Sequence, residues 1–174
     1  MSKQNLWAPW RIGYLQELGG ASPPGQAGDC FLCAASQAGL SAEQAAERLV
    51  LHRTDHAALL LNRYPYSNGH LLVSPHAHVP ELSDLDATAR AGLMELCELS
   101  ARLLKAAVNP QGVNVGANLG RAAGAGVPGH LHFHVVPRWA GDCNFMDVVA
   151  GTRVIPQALD ESYRALKDTL AKLI

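Results

Sequence analysis

Short apolar runs and polar punctuation alternate along the chain from Leu49 onward. Residues 49–53 and 56–62 predict two strands joined by a tight turn at Thr54-Asp55, and the Tyr, Pro, Ser and Asn of 63–69 predict a loop. Residues 69–74 predict a third strand that ends at Pro75. The period then lengthens: Leu85, Ala89, Leu93, Leu96, Leu99, Leu103, Leu104 and Ala107 recur near helical spacing, which predicts a helix from an N-cap at Ser83 to about Val108, stopped by Asn109-Pro110. Residues 113–118 predict a fourth strand, 120–129 a glycine-rich loop, and 130–138 a fifth strand. Pro156 suits the first turn of a last helix with Leu159, Tyr163, Leu166, Leu170 and Leu173 on one stripe. Upstream, Ser41 with Gln44 three residues later is a capping box for a short helix to about Arg48.

Short links between successive strands favour antiparallel pairing, so the fold class is α+β, with about five strands and helices on one face. At 174 residues one domain is the default. Residues 1–28 are set apart as an N-terminal extension and linker, because Trp7 and Trp10 precede any domain pattern and run into a Gly/Pro/Ser/Ala stretch. Those tryptophans pack on their own chain, on the ligand site or on a second subunit.

Charge narrows the partners. A net charge of -1 gives no basic field for a nucleic acid polymer or an acidic membrane, so any anion must be recognised locally. With no signal peptide and no run of ~18 apolar residues, the four cysteines predict a reducing, cytoplasmic setting rather than a disulfide framework.

The fifth strand carries His130, His132 and His134 at every second position between Leu131, Phe133 and Val135. A strand puts all three imidazoles on one face and the apolar residues on the other. The outer two α-carbons are then ~13 Å apart, too far for one metal to gather all three rings. Two of them with a histidine from another strand could still hold a catalytic zinc, a competing class. A neutral imidazole is a good nucleophile at neutral pH and a good leaving group once bonded to phosphorus, which suits phosphoryl or nucleotidyl transfer. His132 is the central candidate, His134 would bear charge beside phosphate oxygens, and His130 would orient the site or bind metal. The upstream glycines can bring backbone N–H groups close to an anion.

Two motifs mislead. Residues 124–129 spell G-x-G-x-x-G, but a strand follows where a dinucleotide site needs a helix to open. Cys30-x-x-Cys33 has the spacing of half a zinc site, yet pairing it with His52 and His56 gives a poor finger. Two reduced structural cysteines remain the alternative, and a thioredoxin-like pair is disfavoured because no strand feeds a helix there.

His130-x-His132-x-His134-Val135-Val136, with Asn62 and Gly69-His70 upstream, resembles the signature of the histidine triad family of nucleotide hydrolases and transferases over about residues 29–139. The resemblance implies a five-stranded antiparallel sheet with two main helices in a domain at 29–140, a homodimer joining its sheets, and a loop and helix at 141–174 packing on the domain. It implies that His132 forms a nucleotidyl-histidine, with His134, His130 and His70 on the catalytic face. Asn62 would hold ribose hydroxyls, Asn118 and the Gly126 backbone would meet phosphate, and Trp139 would lie at the nucleotide. Turn chemistry at strand ends is the plainer role for both asparagines. Some branches carry a structural zinc, whose ligands here would be Cys30, Cys33, His78 and His130, with His76 as the substitute for His78. No organic cofactor is expected.

Leu6-Trp7-Ala8-Pro9-Trp10-Arg11, Pro137-Arg138-Trp139 and Asn144-Phe145-Met146 look like the branch containing bacterial diadenosine tetraphosphate phosphorylases. There, inorganic phosphate resolves the intermediate and an adenine dinucleotide yields ADP and ATP. Ala125-Gly126 replaces the side-chain donor frequent in the family, which leaves the acceptor open. The rivals are hydrolysis of dinucleoside polyphosphates, cleavage of nucleoside phosphoramidates, and a slow mononucleotide-binding signalling module.

Overall fold

Thr54 makes the first hairpin. Its hydroxyl accepts the His56 and Ala57 N–H groups at 3.3 and 3.1 Å, reversing the chain between β1 (Val50–Arg53) and β2 (Ala57–Leu61). The computed structural model describes residues 30–142 and 155–174. Among the described residues two short helices, α1 (Phe31–Ala35) and α2 (Ala42–Glu47), come first; the Ser41–Gln44 capping box opens α2 as the sequence predicts. β3 (Leu71–Pro75), the long α3 (Ala87–Val108), β4 (Gly112–Ala117), β5 (Phe133–Arg138) and α4 (Leu159–Leu170) follow. All pairings are antiparallel in the order β1-β2-β3-β5-β4.

Side-chain alternation divides the sheet into two faces. Leu59, Leu71, Val73, Phe133 and Val135 lie on one, under Leu93, Leu96, Leu103 and Leu104 of α3 and Tyr163 and Leu166 of α4. Ala58, Leu60 and Leu72 lie on the other, where Leu32 and Ala35 of α1 build a smaller second core. The expectation of helices on one face therefore holds for the two main helices, while α1 packs opposite them. Its apolar run is too short for periodicity to reveal.

The main helix starts later than Ser83. A 3-10 turn occupies Leu82–Asp84, and Asp86 is the N-cap, its carboxylate accepting the Ala89 N–H at 2.7 Å. Asn109 ends it in the left-handed conformation (φ 45°) before Pro110. The last helix likewise begins beyond Pro156, with Ala158 as N-cap. Gly92 lets α3 approach the turn between β1 and β2: a Cβ there would stand 2.7 Å from the His56 ring.

β5 is shorter than expected, because only Phe133–Arg138 is strand. Continued by the same register, Ser74 would face His132 and Pro75, which has no N–H to donate, would face Leu131. Leu131 instead donates its N–H to the Val79 carbonyl at 2.7 Å, and its own carbonyl accepts the Ser74 hydroxyl at 3.2 Å. His130 and His132 thus sit on an irregular lead-in to β5, yet Leu131 still faces the main core. No described helix is long and apolar enough to cross a membrane.

Candidate active site

The histidine lead-in, the end of β2 and the start of β3 meet on the face opposite the two main helices. His132 is almost fully buried, and its Nδ1 lies 2.9 Å from the His130 carbonyl oxygen. A carbonyl only accepts, so Nδ1 carries a proton and, in the neutral ring, Nε2 holds the lone pair. A neutral imidazole with a free Nε2 lone pair is the form that attacks phosphorus.

Beside it, His134 meets His132 edge to face, ring centroids 5.0 Å apart. His70, fully buried, places Nε2 3.0 Å from His134 Nδ1. Two donors fix its protonation: the Tyr66 N–H at 3.0 Å and the Asn62 amide at 3.2 Å both reach His70 Nδ1. The Asn62 orientation is set in turn, because its Oδ1 accepts the Tyr64 N–H at 3.0 Å. His70 therefore donates from Nε2 to His134 Nδ1, and the neutral His134 bears its proton on Nε2. Burial, helped by His134 and then His132, pushes His70 down to about 3. Burial and then His132 push His134 down to about 4. The charge expected on His134 is thus not there at neutral pH; a neutral N–H donor stands in its place.

At the edge of this cluster, His130 turns its other nitrogen outward. Its Nε2 faces the Pro75 carbonyl at 2.9 Å and the Ser74 hydroxyl at 3.0 Å, so Nε2–H donates and Nδ1 keeps a lone pair. That lone pair faces Cys30 Sγ at 3.3 Å and Cys33 Sγ at 3.4 Å, while His78 Nδ1 lies 3.1 Å from Cys33 Sγ. All four ligand atoms fall within 4.8 Å of one another. Tetrahedral zinc with two sulfurs and two nitrogens needs ligand separations of roughly 3.3–3.8 Å, so the residues fit that ion. Burial, with Cys30 beside it, pushes the Cys33 thiol up, a cost that a cation would relieve. His76 lies outside this group, because the ligand atoms gathered within 4.8 Å of one another belong to Cys30, Cys33, His78 and His130. The two cysteines come together because α1 starts directly after Cys30, which puts Cys33 one turn later on the same side.

Residues 43–141 match the HIT domain. The chain belongs to the HIT (histidine triad) family. It is 40% identical over 169 residues to the AP-4-A phosphorylase of Mycobacterium tuberculosis, covering 97% of this chain and 85% of the relative. It is 32% identical over 100 residues to the asymmetrical bis(5'-nucleosyl)-tetraphosphatase of Schizosaccharomyces pombe, covering 58% of this chain and 54% of the relative. A crystal structure of a Zn-bound histidine triad family protein from Mycobacterium smegmatis superposes with a TM-score of 0.66 at 29% identity, covering 85% of this chain and 97% of that one.

In this HIT protein, His70, His132, His134 and Asn62 form one hydrogen-bonded or ring-contacting group, and His130 links it to the cysteines. Asn118 lies just past β4 on the same face, its amide donating to the Gly124 carbonyl at 3.3 Å, and holds the glycine loop. Gly126 sits in that loop with open space where a Cβ would stand. Trp139 is not brought into the group: it follows the far end of β5, roughly 17 Å along the strand from His134, and its indole N–H donates to the Asn109 carbonyl. Trp7, Trp10, Cys143 and Asn144-Phe145-Met146 lie outside the described residues. Two residues escape the sequence reading. Ser74 shares a face with His70 by alternation, so its burial was there to be found, whereas Tyr66 reads only as loop chemistry.

Proposed function

We propose that this HIT protein cleaves dinucleoside polyphosphates of the diadenosine tetraphosphate type through a nucleotidyl-histidine, in the cytoplasm, with inorganic phosphate as acceptor. The observation that carries it is the His132 Nδ1–H bonded to the His130 carbonyl at 2.9 Å, which makes Nε2 the lone-pair nitrogen of the neutral ring. His132 Nε2 forms a bond to the α-phosphorus while the bridging P–O bond breaks and ATP leaves. Phosphate oxygen then attacks the same phosphorus, the N–P bond breaks, and ADP is released with His132 restored. His134 Nε2–H donates to a phosphate oxygen, backbone N–H groups near Gly126 and the Asn118-held loop take the others, and Asn62 meets the ribose. Zinc at Cys30, Cys33, His78 and His130 would supply a structural cross-link rather than reaction chemistry.

The 40% identity to the mycobacterial AP-4-A phosphorylase supports phosphate as the acceptor. The likeness to the yeast tetraphosphatase favours water as the second reading. Product analysis of diadenosine tetraphosphate decides between them: ADP plus ATP only with added phosphate supports phosphorolysis, AMP plus ATP supports hydrolysis, and no cleavage defeats both. Cleavage of nucleoside phosphoramidates or slow nucleotide binding would then be left.

A homodimer joined along β4 belongs to the same proposal. At the β1 edge, the Tyr163 hydroxyl and the Lys167 ammonium donate to the Val50 and Leu51 carbonyls, both at 2.9 Å. At the β4 edge, Asn114, Val115 and Gly116 are exposed, Val115 by 46%, a strand edge open to pairing.

A further inference from the structure

Tyr66 packs in neither core, yet it lies against two of the site histidines. Its ring runs nearly parallel to the His134 imidazole, 27° between planes with centroids 5.6 Å apart, and tilts at 42° over His70 at 4.6 Å. Tyr66 is 47% exposed, so it stands between the two histidines and solvent. A histidine χ2 torsion is broad and roughly two-fold, and one hydrogen bond at a ring nitrogen leaves the plane free to rock about it. His132 touches the His134 ring edge to face. Tyr66 adds a near-parallel contact, and the two neighbours together define the plane.

We propose that Tyr66 is a positioning residue: its ring holds the His134 imidazole in the plane in which Nδ1 accepts from His70 and Nε2–H is left for a phosphate oxygen. The same residue sets both ends of the relay, because its backbone N–H keeps His70 Nδ1 an acceptor. The backbone contribution survives any side-chain substitution, so the ring can be tested by itself. The inference rests on the proposed role of His134 in nucleotidyl transfer only for its kinetic consequence; the ring geometry stands without it.

The test compares Tyr66→Phe and Tyr66→Ala in the full chain, with Tyr66→Leu in place of Ala should that variant fold poorly. Nitrogen-15 spectra of the imidazoles, taken without substrate, read the His134 tautomer. A single Nε2–H form is expected for wild type and Tyr66→Phe, and a mixture of the two tautomers for Tyr66→Ala. With diadenosine tetraphosphate and phosphate, kcat of Tyr66→Ala should fall by about 10- to 100-fold with KM within about threefold, while Tyr66→Phe stays within about twofold. An unchanged His134 tautomer in Tyr66→Ala overturns the proposal. A loss confined to KM also overturns it, since Tyr66 would then contact the nucleotide directly, and so does a Tyr66→Phe variant as impaired as Ala. If the wild-type protein cleaves no dinucleotide, the tautomer shift still registers the positioning, and only the functional proposal fails.

Discussion

On one face of the sheet, Leu59, Leu71, Val73 and Val135 lie dry beneath α3 and α4; on the other, the same strands and their ends present Asn62, His70, Ser74 and His134. The apolar face is held by area removed from water, so its residues are interchangeable within limits of volume. The polar face is held by directed contacts in which each group fixes the next: Tyr64 orients Asn62, Asn62 and Tyr66 fix His70, and His70 fixes His134. Since alternate residues of a strand belong to different faces, damage to one face should leave the other largely intact. Stability and chemistry are therefore separable by substitutions only one position apart.

The sharpest way to expose that separation is His132→Ala. Cleavage of diadenosine tetraphosphate should fall by at least about 10³-fold, with nucleotide binding still measurable by calorimetry. Loss of the nearly buried ring also removes its contact with His134 and the donor to the His130 carbonyl, so the unfolding free energy should fall by about 1–3 kcal/mol, a far smaller effect than that on turnover. Comparable turnover in the variant would sink the covalent mechanism.

The opposite perturbation is Leu103→Ala, at a fully buried position of α3 beneath the other face. A loss of about 2–5 kcal/mol of unfolding free energy is expected, with kcat of the folded fraction within about twofold of wild type. Should kcat collapse while the protein remains folded, the two faces would be coupled through the sheet and the comparison would fail.

The faces also differ in how far the sequence reveals them. Period-two alternation exposes the strands and puts the histidines on one side, and the stripe from Leu85 to Ala107 exposes α3. Boundaries escape where a local competitor wins: Asp86 caps α3 in place of Ser83, and Pro75 cuts the β3–β5 ladder short so that His130 and His132 fall outside β5. The resemblance supplies Cys30, Cys33, His78 and His130 as a group, and the chain folds them together. Charge states are less legible. His134 reads as a cation from its place in the motif, whereas its burial beside His132 and the His70 donor keep it neutral, a consequence of three-dimensional packing that spacing does not encode.

Between the faces in size of effect stands the metal site, which ties α1 and the smaller core to the histidine lead-in. Purified protein should carry about one zinc per chain by elemental analysis, and Cys33→Ser should lose it with Tm lowered by roughly 5 °C. Zinc-free wild type with the same Tm as the variant would show that the two thiols are merely packed.

The smallest expected effect concerns acid. His70 titrates near 3 in the folded chain and near 6.5 when unfolded, so between these values the unfolded chain binds the proton and the folded chain does not. The neutral, buried His70 therefore contributes nothing to pH dependence above about 6.5, and stability falls as pH drops through the window toward 3. At pH 5.5 the loss attributable to this one group should be about 1 kcal/mol. Urea midpoints of wild type and His70→Gln at pH 7.5 and 5.5 test it, because the glutamine amide retains a donor for His134 Nδ1 and every other histidine, including the metal ligands, is common to both proteins. The wild type should lose more on acidification than the variant. Equal losses would mean that His70 reaches solvent protons freely, and the polar face would then be looser than its chain of hydrogen bonds implies.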